Sequence, residues 1–412
     1  MSEYAQTDTQ TPTTRNAETL RHRAFRTFVG RLSSALECGS LSIELPGGDL
    51  FQAQGAHAGP DAEILVNRTR AARRALFGGS LGLADSYIDE DWDSDDLTAV
   101  IELCAQNIHS FNREIEPRYS LGRVLSRLRH RGRANTKTGS RRNIAAHYDL
   151  GNAFYAQWLD PSMTYSSACF ESEEESLTTA QVRKFDNLAK MLDLQPDDHL
   201  LEVGCGWGAF AIHAASTYGC RVTALTVSPA QAEWARQKVA EAGLTDRVEI
   251  RLQDYRDVPG TFDKIASIEM FEAVGEQYWP IFFQTLAQRL RAGGLAALQV
   301  ITIENKRFEQ YRKNPDFIQM RVFPGGMLPS EEVFAESAAA VGLNLDQSNM
   351  FGRDYAETLR RWRENFEAKW PDIAPMGFDE RFRRLWRYYL CYCEAGFRAG
   401  TISVGQFRLT PA

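Results

Sequence analysis

LLEVGCGWGAF, residues 200–210, decides the fold. Leu200-Leu201-Glu202-Val203 has the apolar composition of a buried strand and runs directly into Gly204-Cys205-Gly206-Trp207-Gly208. A helical segment, WGAFAIHAASTYG, follows. Glycines at a strand-to-helix turn let a ligand approach the backbone closely, at the carboxyl edge of a sheet. Outward from this turn the pattern repeats. RVTALTV, RVEIRLQ, FDKIASI and LAALQVITI are short runs rich in Val, Ile and Leu, separated by the helix-like PAQAEWARQKVAEAG and EQYWPIFFQTLAQRL. Such alternation predicts a doubly wound α/β fold with a parallel sheet and right-handed crossovers.

The loop itself narrows the ligand. G-x-G-x-G differs from the dinucleotide fingerprint G-x-G-x-x-G, although Ala209 is an allowed third position, so a nicotinamide enzyme survives on spacing alone. Such an enzyme would place an acid on the ribose at the end of the second strand, about 20 residues on. Here that strand ends in Leu225-Thr226-Val227-Ser228, with Gln231 following and no acid. The acid stands instead before the glycines, as Glu202. E-x-G-x-G-x-G is the first motif of methyltransferases that use S-adenosylmethionine (SAM). Gln253-Asp254-Tyr255, closing the third strand, supplies an acid beside an aromatic ring, a pair suited to adenine.

Composition bounds the remainder. The chain has 412 residues, 43% hydrophobic and 25% charged, with a net charge of −7, which argues against a nucleic-acid partner. The seven cysteines are scattered, and Cys391-x-Cys393 stands apart from any histidine, so no metal site is expected and the compartment is expected to be reducing. Residues 1–22 are polar and predict a disordered tail, not a secretory signal. No run reaches the ~18 apolar residues of a spanning helix. Residues 23–120 read as a small mixed α/β domain, with a hairpin around Pro46-Gly47-Gly48. Residues 121–142 form a basic linker: Arg123, Arg127, Arg129, Arg131, Arg133, Lys137, Arg141 and Arg142 with no acid, a run that would attract an anionic membrane surface.

Residues 143–412 read as one catalytic domain, and about 143–405 of it carries a wider resemblance. NIAAHYDLGNAFYAQWLDPSMTYSSACF, LLEVGCGWGAF, LTVSPAQ, LQDYRD, SIEMFEAVG, FPGGMLPS and FGRDY occur in one order. Together they resemble the cyclopropane fatty acid synthases and their mycolic acid relatives. GSLGLADSYIDEDWDSDDL resembles the extra N-terminal domain of the phospholipid-acting branch. The resemblance implies a Rossmann-like class I SAM methyltransferase domain preceded by a smaller α/β domain. It implies contacts to SAM from His147, Tyr165, Ser166, Glu202, Gly204, Gly206, Trp207, Thr226, Gln231, Asp254, Tyr255 and Ile268. It also implies a cytoplasmic enzyme peripheral to the inner face of the membrane, acting on unsaturated phospholipid, with a homodimer left open.

The implied chemistry explains the residues it needs. An alkene attacks a sulfonium methyl without first losing a proton, and a carbocation is left on the acyl chain, to be shielded from water. A base must then take a proton from the new methyl group before a ring can close. In the resembled family that base is a bicarbonate ion held in a polar nest, here mapped to Ser167, Glu272, Gln299, Ile301 and Tyr355. Ser167 replaces a cysteine and Gln299 a histidine of the better-known members. A neutral amide cannot become cationic, so the same cation is open to hydride shift and a methylene- or methyl-branched product. A non-catalytic lipid-binding protein fits the N-terminal region but leaves the glycine loop and nest residues without a purpose. Aromatic stretches 276–283, 321–326 and 381–397 are candidate walls of an acyl tunnel, and Lys306, Arg307, Arg312 and Lys313 candidate phosphate contacts.

Overall fold

The structure, a computed structural model, describes residues 29–115 (the backbone alone for 112–115) and residues 150–412. The expected tail, the basic linker and His147 lie outside the described residues. The chain divides into two compact units, residues 1–122 and 123–412.

In the first unit, β1 (Cys38–Glu44), β2 (Leu50–Gln54), β3 (His57–Val66) and β4 (Trp92–Asp93) form one sheet in the order β2-β1-β3-β4. β1 and β2 make the hairpin predicted from Pro46-Gly47-Gly48, with Glu44 opposite Leu50 and both glycines at positive φ. β3 lies parallel to β1 on its other side. Beneath, Tyr87 packs on Trp92 with ring centroids 5.2 Å apart. The buried Asp91 carboxylate is held by Arg70 at 2.7 Å and Arg74 at 3.0 Å.

The second unit is built on a seven-stranded sheet. Its strands are β5 (His199–Val203), β6 (Arg221–Thr226), β7 (Val248–Leu252), β8 (Phe262–Ile268), β9 (Leu290–Ile303), β10 (Leu343–Met350) and β11 (Ile402–Pro411), in the order β10-β11-β9-β8-β5-β6-β7. β9 through β7 pair in parallel, whereas β11 runs antiparallel between β9 and β10. Successive strand residues feed opposite cores, as the two-residue period of a strand requires. Leu201, Ile265 and Leu298 join the Trp279–Arg289 helix on one face, and Leu200, Ala266 and Ala297 join the 177–191 and 229–241 helices on the other. The doubly wound expectation is met, and every loop of interest leaves the carboxyl edge of this sheet.

Candidate active site

The cofactor side begins where β5 ends. Gly204 and Gly206 have φ of +86° and +52°, in the left-handed region that L side chains avoid. A Cβ at Gly204 would lie 2.5 Å from Met270 Cγ, whereas one at Gly206 would project into open space, the room a ligand needs against the backbone. Glu202 is buried, and its Oε2 has no hydrogen-bond partner among the described residues. Burial pushes its carboxyl up to about 8, opposed by the Ala211 amide and the charge of Lys184. An orphaned buried carboxyl oxygen beside an open glycine turn fits the ammonium end of SAM.

The other cofactor expectations fall nearby. Ser228 caps the 229–241 helix, which puts Gln231 in the first turn, and Thr226 donates to Gln231 Oε1 at 2.9 Å. Asp254 is buried, and its carboxylate accepts from Arg256 Nε at 2.8 Å and from the Arg256 terminal nitrogen at 2.6 Å. The acid expected to hold adenine is therefore already gripped by its neighbour. The Arg256 guanidinium also lies over the Tyr255 ring, 5.6 Å from its centroid. Trp207 Nε1 donates to Asn152 at 2.8 Å. Tyr165 shares a hydrogen bond of 2.6 Å with Tyr389, and Ser166 Oγ accepts from the buried Lys184 at 2.7 Å.

Three of the five residues expected to form an anion nest, Ser167, Gln299 and Tyr355, meet at a residue that was not among them. Glu269 follows β8 directly, with its amide donating to Gln299 O at 2.9 Å. Its φ of +48° is left-handed, uncommon for a residue other than glycine. Its Oε1 accepts from Ser167 N and from Gln299 Nε2, both at 2.8 Å, and its Oε2 accepts from Tyr355 OH at 2.6 Å. Glu272, three residues on, instead accepts from Ile301 N at 2.6 Å, and its other oxygen has no partner among the described residues.

Both carboxyls are buried, but they are treated differently. Burial raises Glu269, while Tyr355, Ser167, Gln299 and the charge of Lys184 all favour its anion. Burial pushes Glu272 up to about 8, and the charge on Glu269 adds to the rise. Glu269 therefore has three donors that favour its charged form, whereas Glu272 has the single Ile301 amide. Burial in turn brings the Lys184 ammonium down to about 8, against the pull of Glu269. This arrangement does not fit a bicarbonate ion. Three of its expected donors are spent on Glu269, and a second negative charge would enter a buried site already holding one.

Sequence reasoning missed Glu269, Lys184 and Gln406. Two acids three apart at the end of an apolar strand were the signal for Glu269. Lys184 occupies a buried position in the helical spacing of the 177–191 helix. Gln406 stands directly opposite Gln299 across β11 and β9 and donates to it at 3.1 Å. The tunnel expectation fails for 276–283: Trp279, Phe282 and Phe283 pack with Phe271 and Phe334 in the sheet's core. Three expected phosphate contacts are paired within the chain, Lys306 with Glu304, Arg312 with Glu276 and Lys313 with Glu309.

Sheet order, glycine loop and buried acid define an enzyme class, the SAM-dependent methyltransferases of the Rossmann-like type. Known proteins narrow the class. Residues 135–407 match the family model described as mycolic acid cyclopropane synthetase. The tuberculostearic acid methyltransferase UfaA1 of Mycobacterium tuberculosis is 40% identical over 357 residues, spanning 84% of this chain and 82% of the relative. The cyclopropane-fatty-acyl-phospholipid synthase of Escherichia coli K12 is 36% identical over 352 residues, spanning 84% and 87%. Among solved structures, mycolic acid cyclopropane synthase CmaA1, complexed with SAH and CTAB, superposes with a TM-score of 0.61 at 33% identity, covering 65% of this chain and 97% of that one. The chain belongs to the mycolic acid cyclopropane synthetase family.

Proposed function

We propose that the protein transfers a one-carbon unit from SAM to the double bond of unsaturated fatty acyl chains in phospholipids, closing a cyclopropane ring. The observation that carries this reading is the pair of buried carboxyl groups at the end of β8, next to the cofactor loop. After transfer to an oxygen or nitrogen nucleophile, any proton left to lose is an acidic O–H or N–H that solvent can take. Alkylation of an alkene needs a base, because the new methyl group must lose a proton.

SAM, bound by Glu202, the Gly204–Gly208 turn, Thr226 and Gln231, would supply an electrophilic sulfonium methyl. The chain's own residues then have three tasks. Glu202 and the glycine turn orient the donor. The rings of Tyr165, Trp158 and Trp362, whose centroids lie 5.3 to 5.7 Å apart, exclude water and face developing positive charge with their π electrons. The Glu269–Glu272 pair supplies the negative charge and the place for a departing proton.

A second reading, a methylene- or methyl-branched product from the same cation, is favoured by two observations. Gln299 stays neutral where a histidine could be cationic, and the relative at 40% identity is named a tuberculostearic acid methyltransferase. The substrate implies work at a lipid surface, on the inner face of the membrane. Free thiols at all seven cysteines support the reducing side, and no helix among the described residues is long and apolar enough to cross a membrane.

The test is incubation with SAM and mono-unsaturated phospholipid vesicles, followed by mass spectrometry of the acyl chains. A gain of one CH₂ is expected, and alkene-specific derivatisation separates ring from exocyclic methylene. No SAM-dependent gain would sink the reading.

A further inference from the structure

We propose that Glu269 is the enzyme's own proton acceptor, standing where an external anion would otherwise bind, so that turnover needs no bicarbonate. The proposal rests on the alkene-alkylation reading.

Three observations carry it. The Glu269 carboxylate takes the Ser167 amide, the Gln299 amide group and the Tyr355 hydroxyl at 2.6 to 2.8 Å, a nest filled from within the chain. Its backbone is held left-handed at φ +48°, a conformation that persists in a side-chain-bearing residue when the surroundings over-determine it, and such outliers cluster at functional sites. Finally, a relay fixes the donor. Gln406 Nε2 donates to the Lys184 carbonyl at 3.0 Å and to Gln299 Oε1 at 3.1 Å, so the Gln299 NH₂ is the end that faces Glu269. Glu272, with the Ile301 amide as its one donor, lies three residues on.

The chemistry balances without a further reagent. The alkene π pair forms a carbon–carbon bond to the sulfonium methyl, and the broken sulfur–carbon bond returns its pair to sulfur. The adjacent chain carbon is left cationic. A C–H bond of the transferred methyl then gives its proton to a Glu269 oxygen, and the electrons of that bond close the ring onto the cation. Where hydride first moves from the methyl-bearing carbon to the cationic one, the same deprotonation gives a methylene branch. Either route yields a chain heavier by CH₂, S-adenosylhomocysteine and one proton, which Glu269 passes to solvent.

The experiment has a kinetic arm and a binding arm. Wild-type turnover on mono-unsaturated phospholipid vesicles is expected to be the same in carbon-dioxide-free buffer and in buffer with added bicarbonate. A rate that rises with bicarbonate would overturn the proposal. Glu269→Gln is expected to lose about 10²–10⁴-fold in turnover, the usual contribution of a positioned base, while SAM affinity is kept. Full activity in that variant would also overturn it. Glu269→Gly relieves the left-handed backbone, so it is expected to fold, to bind carbon-13 bicarbonate by NMR, and to recover activity when bicarbonate or formate is added. The wild type is expected to bind none, and equimolar binding by the wild type would refute the filled nest with or without lipid turnover. A wild type that binds no bicarbonate yet modifies no acyl chain upholds the filled nest and sinks the alkylation reading instead.

Discussion

Gln406 and Gln299 sit directly opposite one another on antiparallel strands, and the 3.1 Å bond from Gln406 Nε2 to Gln299 Oε1 decides which end of the Gln299 amide meets Glu269. An amide presented the other way round would set an oxygen against a carboxylate. Gln406 is therefore a positioning residue that touches neither acid itself.

Gln406→Met is expected to lower kcat about ten-fold, a loss of roughly 1.4 kcal/mol, with SAM affinity unchanged. Leaving Gln299 Oε1 and the Lys184 carbonyl without their donor is also expected to cost about 1–3 kcal/mol of stability. Steady-state kinetics alongside thermal melting checks both. Equal loss in kcat and in SAM binding would mean a general disturbance of the fold.

Stability is expected to fall as pH rises from about 4.5 towards 8. In the native state Glu272 keeps its proton up to about 8, while the unfolded chain releases it near the ordinary value of 4.5. Between those limits the unfolded state binds fewer protons, so stability is full below the lower value and is lost as pH climbs through the higher. Burial sets most of the shift, the Glu269 carboxyl adds to it, and the Ile301 amide opposes it. Melting temperatures of the wild type and Glu272→Gln across this range are the measurement, and the variant is expected to show a shallower slope. Over the whole range the difference in slope integrates to at most about 5 kcal/mol. Parallel curves would place the titration elsewhere.

SAM binding at pH 7 is expected to release a proton. Glu202 holds its proton up to about 8 in the free protein, and a bound ammonium group favours the carboxylate. Calorimetry in two buffers of different ionisation enthalpy reads the release directly. Glu202→Gln is expected to release none and to bind SAM more weakly, by about 10–100-fold for a buried charge-assisted contact.

The two loop glycines are expected to respond differently to alanine. Gly204→Ala would drive a Cβ to 2.5 Å from Met270, against a backbone at φ +86°, and is expected to destabilise the fold by about 2–3 kcal/mol. At Gly206 the Cβ meets nothing, so Gly206→Ala is expected to cost about 1 kcal/mol of stability for its φ, but to abolish SAM binding. Comparing melting curves with SAM titrations separates the two. Equal effects on both quantities would mean the space at Gly206 is not a ligand's.

Much of the second unit was legible because most of its parallel strands are apolar on both faces and β7 alternates cleanly. HLLEV, RVTALT, VEIRL, FDKIASI and the end of LRAGGLAALQVITI are β5 to β9, and the helices between them match the predicted ones within a few residues. β10, LNLDQSNM, was not, since most of it is exposed at the sheet's edge and carries no apolar signal. In the first unit, Pro46-Gly47-Gly48 gave away a hairpin, but nothing local encodes that β3 turns back to run parallel to β1. Ser167, Gln299 and Tyr355 were picked out by resemblance and meet at Glu269, while Ile301 meets Glu272. Glu269 escaped because its meaning depends on a left-handed backbone that only the folded chain reveals. Gln406 escaped because its partner is 107 residues away in sequence and joined only by strand register. The phenylalanines of 276–283 misled in the usual direction, since large aromatics pack cores more often than they line channels.

The left-handed turn at Glu269 has a physiological reading as well. An enzyme that borrows its base answers to dissolved carbon dioxide, to the hydration equilibrium that feeds it, and to any small anion that competes for the same cradle. A carboxylate tethered to the main chain answers to none of these. On this account the protein would remodel membrane lipid at one pace whatever the aeration of the cell, and a single codon, exchanging glutamate for glycine, would separate a gas-sensitive catalyst from an indifferent one.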